Sequence, residues 1–160
     1  MILCYPRFTH TEFENRIEEL QKLGVEKIEF NGDQSIFDIP ILGKGCVGIV
    51  VISYTNDSKF AMKIRRVDSD RMEMFHEGEM MKIANSVNVG PKFGKTSKNF
   101  LLMDLIEGKY FPEWTKSLEE KDRKLLRQII RNILDQCYRL DLVGLVLLDS
   151  VCKFVESHKI

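Results

Sequence analysis

The stretch ILGKGCVGIVVISYTNDSKFAMK, residues 41–63, decides the fold. Its glycines Gly43, Gly45 and Gly48 follow the spacing G-x-G-x-x-G, and the β-branched run 49–52 comes directly after them. Glycine lets a backbone approach a phosphate group closely and offer its N–H groups. A dinucleotide-binding fingerprint needs a helix at the third glycine, whereas a β-branched run predicts a strand. By itself the pattern therefore fits a phosphate-binding loop or a plain glycine-rich hairpin turn.

The segments around this loop predict an antiparallel sheet. Strand patterns cover residues 36–42, 49–53 and 60–64, and a further hairpin is predicted from residues 92–96 and 100–103. Short connections between neighbouring strands favour antiparallel pairing. The sequence therefore predicts an α+β fold with a five-stranded antiparallel sheet and one helix packed on it.

A helix and a short strand are predicted ahead of the sheet. The helix covers residues 12–23, and Thr11 with Glu14 has the T-x-x-E spacing of a capping box. Its apolar residues recur at helical spacing, and they are Phe13, Ile17, Leu20 and Leu23. The strand covers residues 25–30 and ends at an Asn-Gly turn.

Two more helices are predicted after the central strands. The first covers residues 69–84, and the second covers residues 118–142 after an irregular stretch at 108–117. Ser117 and Glu120 have capping-box spacing at the start of the second helix. Its apolar stripe consists of Leu125, Leu126, Ile129, Ile133 and Cys137.

Charge and composition narrow the classes of function. The 160 residues include 24 basic and 24 acidic side chains, so the net charge is zero. This balance disfavours a nucleic-acid or membrane-surface protein, although the basic residues Lys59, Lys63, Arg65 and Arg66 lie close together in sequence. The four cysteines form no C-x-x-C pair, and the longest uncharged apolar run is far too short to cross a bilayer. We expect a cytoplasmic protein with reduced thiols and no metal site.

The end of the quoted stretch supplies a second candidate binding element. Alternation along a strand places Ala61 and Lys63 on one face, where the small alanine leaves room for a flat ring and the lysine reaches a phosphate. Glu77, in the following helix, is placed to orient Lys63 through an ion pair. Glu79 is the rival for that role, and an ordinary solvated helix face is the simpler interpretation of both glutamates.

Together these motifs give residues 37–108 a clear resemblance to the N-terminal lobe of a protein kinase. The sequence G-x-G-x-x-G-x-V ends at Val50, FAMK (60–63) matches the family's V-A-I-K, and HEGEMMKIAN (76–85) matches the helix that supplies the lysine's partner. FLLMDLIEG (100–108) resembles the fifth strand and hinge. Within the family, the chain most resembles the small predicted serine/threonine kinases of archaea, which are related to the RIO-type families.

The resemblance implies three regions and a set of residue roles. Residues 1–36 would be a helix–strand extension, 37–108 the kinase-like lobe, and 109–160 a linker with the helical start of an incomplete second lobe. Lys63 would hold the nucleotide phosphates, Glu77 would pair with it, and Mg²⁺ would enter only with ATP, without a complete set of protein ligands. The implied ATP-binding residues are Leu42, Gly43, Lys44, Gly45, Cys46, Val47, Gly48, Val50, Ala61, Lys63, Met103, Asp104 and Ile106.

The C-terminal residues depart from the kinase pattern. Asp149 can be aligned with the catalytic aspartate, but Leu147 and Leu148 replace the preceding His and Arg, and Phe154 replaces the metal-binding Asn. No D-F-G follows in the sequence. We therefore expect an ATP-binding domain of a serine/threonine kinase family that is catalytically incomplete, as in a truncated, split or frameshifted kinase.

A second hypothesis keeps the same fold without nucleotide chemistry. The chain would then be an interaction or scaffold module, and its C-terminal helix would contact a protein substrate or a partner chain. Neither a nucleic acid nor a membrane is an expected partner.

Overall fold

The computed structural model describes residues 1–56, 58–108, 111–116 and 122–145. The chain forms two compact units, the first made of Met1–Glu79 and Lys92–Leu105. The second consists of Met80–Pro91 and the described residues from Ile106 onward. The N-terminal extension and the central sheet therefore share one unit.

An antiparallel sheet dominates the first unit, which confirms the α+β class. The strands are β1 (Lys27–Glu29), β2 (Gln34–Ile36), β3 (Ile39–Ile41), β4 (Gly43–Lys44), β5 (Gly48–Thr55), β6 (Ser58–Arg65), β7 (Phe93–Thr96) and β8 (Phe100–Asp104). Among the described residues, six strands form the main sheet in the order β1-β5-β6-β8-β7, with β4 also pairing with β5, whereas we predicted five. The edge beside β5 is shared by two short strands, because Lys27 lies opposite Tyr54 and Gly43 lies opposite Val50.

The predicted single strand at 36–42 is wrong. Strands β2 and β3 form a separate hairpin, in which Ser35 lies opposite Pro40. Phe37 and Asp38 make its turn with φ angles of 51° and 62°, and two consecutive positive φ angles reverse the chain in a two-residue hairpin loop. Gly32, with φ of 138°, lies so close to the backbone of Ile41 that a Cβ there would be 2.1 Å from the Ile41 carbonyl oxygen.

Helix α1 (His10–Leu23) covers one face of the sheet. It begins two residues before the predicted start, because the Thr9 side chain accepts a hydrogen bond from the Glu12 amide at 3.3 Å. The capping residue is therefore Thr9 rather than Thr11. The shared apolar core includes Leu20, Leu23, Ile49, Val51, Met62, Ile64, Phe100 and Leu102. The prediction of one helix on the sheet was incomplete because α1 packs there as well.

A buried polar network fastens α1 to the ends of β6 and β8. The Arg16 side chain is 0% exposed, and its guanidinium donates to Glu12, to the Leu3 and Arg65 carbonyl oxygens and to Asn99 Oδ1. The Arg65 Nε also donates to Asn99 Oδ1, and burial lowers the pKa of Arg65. Glu19 accepts from the Asn99 amide and side chain. We call Glu12, Arg16, Glu19, Arg65 and Asn99 the buried network. Its formal charges balance, and Asn99 binds both carboxylate oxygens of Glu19.

Helix α2 (Phe75–Ser86) begins six residues after the predicted start at Ser69. The preceding backbone is bonded elsewhere, since the Arg71 amide donates to Ser69 Oγ and the Arg71 carbonyl accepts from Arg65. The Met74 amide donates to the Lys98 carbonyl oxygen at 2.9 Å, which ties the helix entrance to the turn before β8. These bonds replace the helical ones that the apolar spacing predicted.

The second unit has its own small core. It contains α3 (Phe111–Lys116), where an irregular stretch was predicted, and α4 (Arg123–Leu142). Leu140 of α4 is buried with Ala84 and Val89, and Arg139 donates to the Val87 carbonyl oxygen. The predicted cap at Ser117 and Glu120 lies outside the described residues. No helix of the described residues is long and apolar enough to cross a membrane.

Candidate functional site

The sheet face opposite the apolar core carries the predicted lysine. Antiparallel pairing places Lys63 between Val50 and Leu101, and Ala61 between Ile52 and Met103. Residues that lie directly opposite each other in an antiparallel sheet point to the same face. Two rows of side chains, Val50–Lys63–Leu101 and Ile52–Ala61–Met103, therefore lie next to each other on this face. Ala61 has the smallest side chain of the second row and is 7% exposed.

The third glycine of the loop lies directly over the lysine. A Cβ at Gly48 would be 2.7 Å from the Ile64 carbonyl oxygen and 3.1 Å from Cγ of Lys63. These contacts are too short for any side chain, so only glycine allows β5 to approach β6 this closely. By contrast, a Cβ at Gly43 would meet no atom within 4 Å. Of these two glycines, only Gly48 is sterically required.

The glycine loop is a tight turn that is tied to the protein at its base. The Gly45 amide donates to the Gly48 carbonyl oxygen at 2.8 Å, and the Lys44 amide donates to Gln34 Oε1 at 2.8 Å. At the tip, Cys46 is exposed. Within the described part of the chain, no acceptor is bonded to the amides of Cys46 and Val47. These two amides at the tip of the loop could donate to a ligand.

Arg66 anchors the loop from the end of β6. Its amide donates to the Val47 carbonyl oxygen at 2.9 Å, and its Nη1 donates to the Gly45 carbonyl oxygen at 3.3 Å. Its remaining guanidinium nitrogens bind Asp68, and this hydrogen bond lowers the pKa of the Asp68 carboxyl. Arg66 also lies over the ring of Tyr5, 5.2 Å from its centroid. The loop conformation is thus held by a charged side chain that the glycine pattern does not reveal.

The structure brings together Lys63 and Glu77, which we expected to pair. Lys63 Nζ lies 2.5 Å from Glu77 Oε1, and the two side chains are 21% and 20% exposed. The other carboxylate oxygen, Oε2, accepts from Arg71 Nη1 at 3.0 Å. One carboxylate therefore holds two cations. We call Lys63, Arg71 and Glu77 the site cluster; its formal charges sum to one positive charge.

Close packing of α2 on β7 fixes the position of Glu77. Gly78, the next residue, would place a Cβ 3.1 Å from the Phe93 ring and 3.1 Å from Thr96 Cγ2. The absence of a side chain at this position lets the first turn of α2 lie against the strand. The backbone that carries Glu77 is thereby held at a distance from which its carboxylate reaches Lys63.

The remaining predicted residues have different positions. The Leu42 amide donates to the Val50 carbonyl oxygen, and the Asp104 amide donates to the Lys92 carbonyl oxygen. Ile106 lies two residues after the end of β8, where the chain enters the second compact unit for the second time. Asp149 lies outside the described residues. No group of metal-ligating side chains occurs among the residues that the structure describes.

Besides Arg66, sequence reasoning missed Arg71 and Leu101. Arg71 has no motif around it, and it lies in the segment before α2 that the apolar spacing predicted as helix. Leu101, which is 0% exposed beside Lys63, could have been found from the strand alternation once the register was known.

A scan against models of protein families finds no match, and a search of the curated proteins finds none either.

Proposed function

We propose that this protein is a kinase-like nucleotide-binding domain that binds ATP through the glycine loop and the site cluster. Two observations together carry the proposal. Gly48 packs closely against the Lys63 side chain, and Lys63 Nζ lies 2.5 Å from Glu77 Oε1. A lysine that is held by a carboxylate and covered by a glycine turn is fixed in position, as a phosphate contact requires.

The adenine would lie beyond the phosphates on the same sheet face. The small side chain of Ala61, between Ile52 and Met103, supports a site for a flat ring, and Val50 and Leu42 would line its other side. The backbone of Asp104 and Ile106 would provide hydrogen bonds to the edge of the base. In this proposal the neutral net charge of the protein is no obstacle, because backbone amides and a few cations bind the phosphates.

Nucleotide binding is proposed here without efficient phosphoryl transfer by the residues of this sequence. The transferred group needs metal-held charge compensation and an aspartate that positions the acceptor hydroxyl. Mg²⁺ would therefore enter with ATP rather than bind on its own. Of the two steps of a serine/threonine kinase, nucleotide binding and phosphoryl transfer, this chain would carry out the first.

A calorimetric titration with ATP, in the presence and absence of Mg²⁺, tests the proposal. We expect Lys63→Met to weaken ATP binding at least tenfold, since a charge-assisted hydrogen bond contributes about 1.5–3 kcal/mol. Lys59→Met is the matched control, because Lys59 is an exposed residue of the same strand and lies opposite Tyr54. ATP binding that is equally strong in all three proteins would contradict a role for Lys63.

One observation favours a second function, that of an interaction module. Along α4 the side chains of Leu134, Tyr138 and Leu142 are 62%, 62% and 66% exposed. They lie at a spacing of four residues, which places them along one side of the helix. A wild-type protein that binds no ATP in the titration, with or without Mg²⁺, would favour this alternative.

A further inference from the structure

Arg71 gives the site cluster a charge that a lysine–glutamate pair would lack. Lys63 and Glu77 alone are neutral, but the guanidinium of Arg71 on the second carboxylate oxygen leaves one positive charge in excess. The two cations bind different oxygens of one small group, so they are held side by side. An excess of positive charge beside the glycine turn attracts an anion.

The position of Arg71 is fixed by its backbone and left open at its side chain. Its amide donates to Ser69 Oγ at 3.1 Å, and its carbonyl oxygen accepts from Arg65 Nη1 at 3.2 Å. Through Arg65, this segment is connected to the buried network. The Arg71 side chain nevertheless remains 50% exposed. A guanidinium on an anchored backbone, half-open to solvent, can exchange a carboxylate contact for a phosphate contact with little reorganisation.

We propose that Arg71 is a second phosphate-binding residue, and that it makes the site select for long phosphate chains over a single phosphate. This inference rests on the proposed function, which supplies the nucleotide. It assigns Lys63 to the phosphates nearer the nucleoside and Arg71 to the far end of the phosphate chain. A guanidinium suits this position because its planar fork binds two phosphate oxygens at once. In this assignment the single phosphate of a nucleoside monophosphate lies at Lys63, and only a longer phosphate chain supplies a further phosphate to Arg71.

The alternative role for Arg71 is that of an ordinary ion pair that supports α2. Such a pair would affect every ligand of the site equally, because it would act only through the position of Glu77. Dependence on the number of phosphates separates the two roles.

Binding of AMP, ADP, ATP and inorganic tripolyphosphate to four proteins tests the inference at one fixed ionic strength. The proteins are the wild type, Arg71→Gln, Arg71→Lys and the control Arg127→Gln, which removes an exposed arginine of α4. We expect Arg71→Gln to weaken ATP and tripolyphosphate binding about tenfold and to leave AMP binding unchanged. Arg71→Lys should restore part of the loss, since it keeps the charge without the fork, and the control should match the wild type.

The outcomes separate this inference from the proposed function. Equal weakening for AMP and ATP, or unchanged ATP binding in Arg71→Gln, would overturn the role of Arg71 while nucleotide binding stands. A wild type that binds tripolyphosphate but no nucleotide, with the loss in Arg71→Gln, would overturn the proposed function and support Arg71. A wild type that binds none of these ligands would overturn both.

Discussion

The buried network and the site cluster use the same kinds of side chain for different ends. In the buried network Arg16 is 0% exposed and the charges balance, so that its donors bind acceptors within the protein. In the site cluster Lys63 and Glu77 remain about one-fifth exposed, and one positive charge is in excess. A buried charge is tolerated only when it is paired and hydrogen-bonded. An excess charge on a half-exposed side chain such as Arg71 is tolerated without a ligand and remains available to bind one. Charge balance and the full burial of Arg16 therefore distinguish the buried network from the site cluster, whereas residue type and the 32% exposure of Glu12 do not.

The largest expected effect comes from removing Arg16. Arg16→Ala removes a hydrogen-bond donor from Glu12 and from the Leu3 and Arg65 carbonyl oxygens, and it leaves Asn99 Oδ1 with Arg65 Nε alone, so we expect it to lower the free energy of unfolding by about 3–5 kcal/mol. Lys63→Met should lower it by only about 1 kcal/mol, because Glu77 keeps its bond to Arg71. Urea unfolding of the purified proteins measures both.

Arg16→Lys keeps this comparison measurable should the alanine variant fail to fold. A lysine retains the charge but cannot bind four acceptors in the geometry of a guanidinium, so an intermediate loss is expected. Similar losses for Arg16→Lys and Lys63→Met, both near 1 kcal/mol, would remove the energetic difference between the two clusters.

A smaller effect is expected at the contact between α2 and β7. Gly78→Val must push the helix away from Phe93 and Thr96, which overpacks the contact and costs about 1–3 kcal/mol of stability. Because Glu77 moves with the helix, ATP binding should weaken together with stability. Ser86→Val, an exposed β-branched substitution in the same helix, should change stability by about 0.5 kcal/mol or less and leave ATP binding unchanged. Full ATP affinity in folded Gly78→Val would show that the position of Glu77 does not depend on this contact.

Local patterns in the sequence predicted the strands and the candidate pair better than the surroundings that hold them. Alternation and turn residues located β5, β6, β7 and β8, because these signals depend on near neighbours along the chain. Lys63 and Glu77 were found from motifs of the same local kind. The strands at the sheet edge were not found from local motifs, since β1 and β4 share the edge beside β5 only through pairing between distant segments.

Long-range polar contacts explain the remaining differences. Asn99 was predicted only as a turn residue, yet it binds side chains 80 and 83 positions earlier. The start of α2 depends on Arg65, a residue of β6 whose side chain donates a hydrogen bond to the Arg71 carbonyl oxygen. The turn at Phe37 and Asp38 uses positive φ angles without glycine, and only Asp38 is of a residue type that is common at such angles. Such features depend on the folded chain and have no local pattern.

Mapping ATP onto the protein by backbone amide NMR tests the central claim most directly. Titration of labelled wild-type protein should shift the amides of Gly43–Gly48 and Lys63 most strongly, with smaller shifts at Met103 and Asp104. The amides of Arg16 and Asn99, which belong to the buried network, should hold their positions. Shifts that concentrate on α4 or the buried network, or spectra that stay the same at millimolar ATP, would contradict a nucleotide site at the glycine loop.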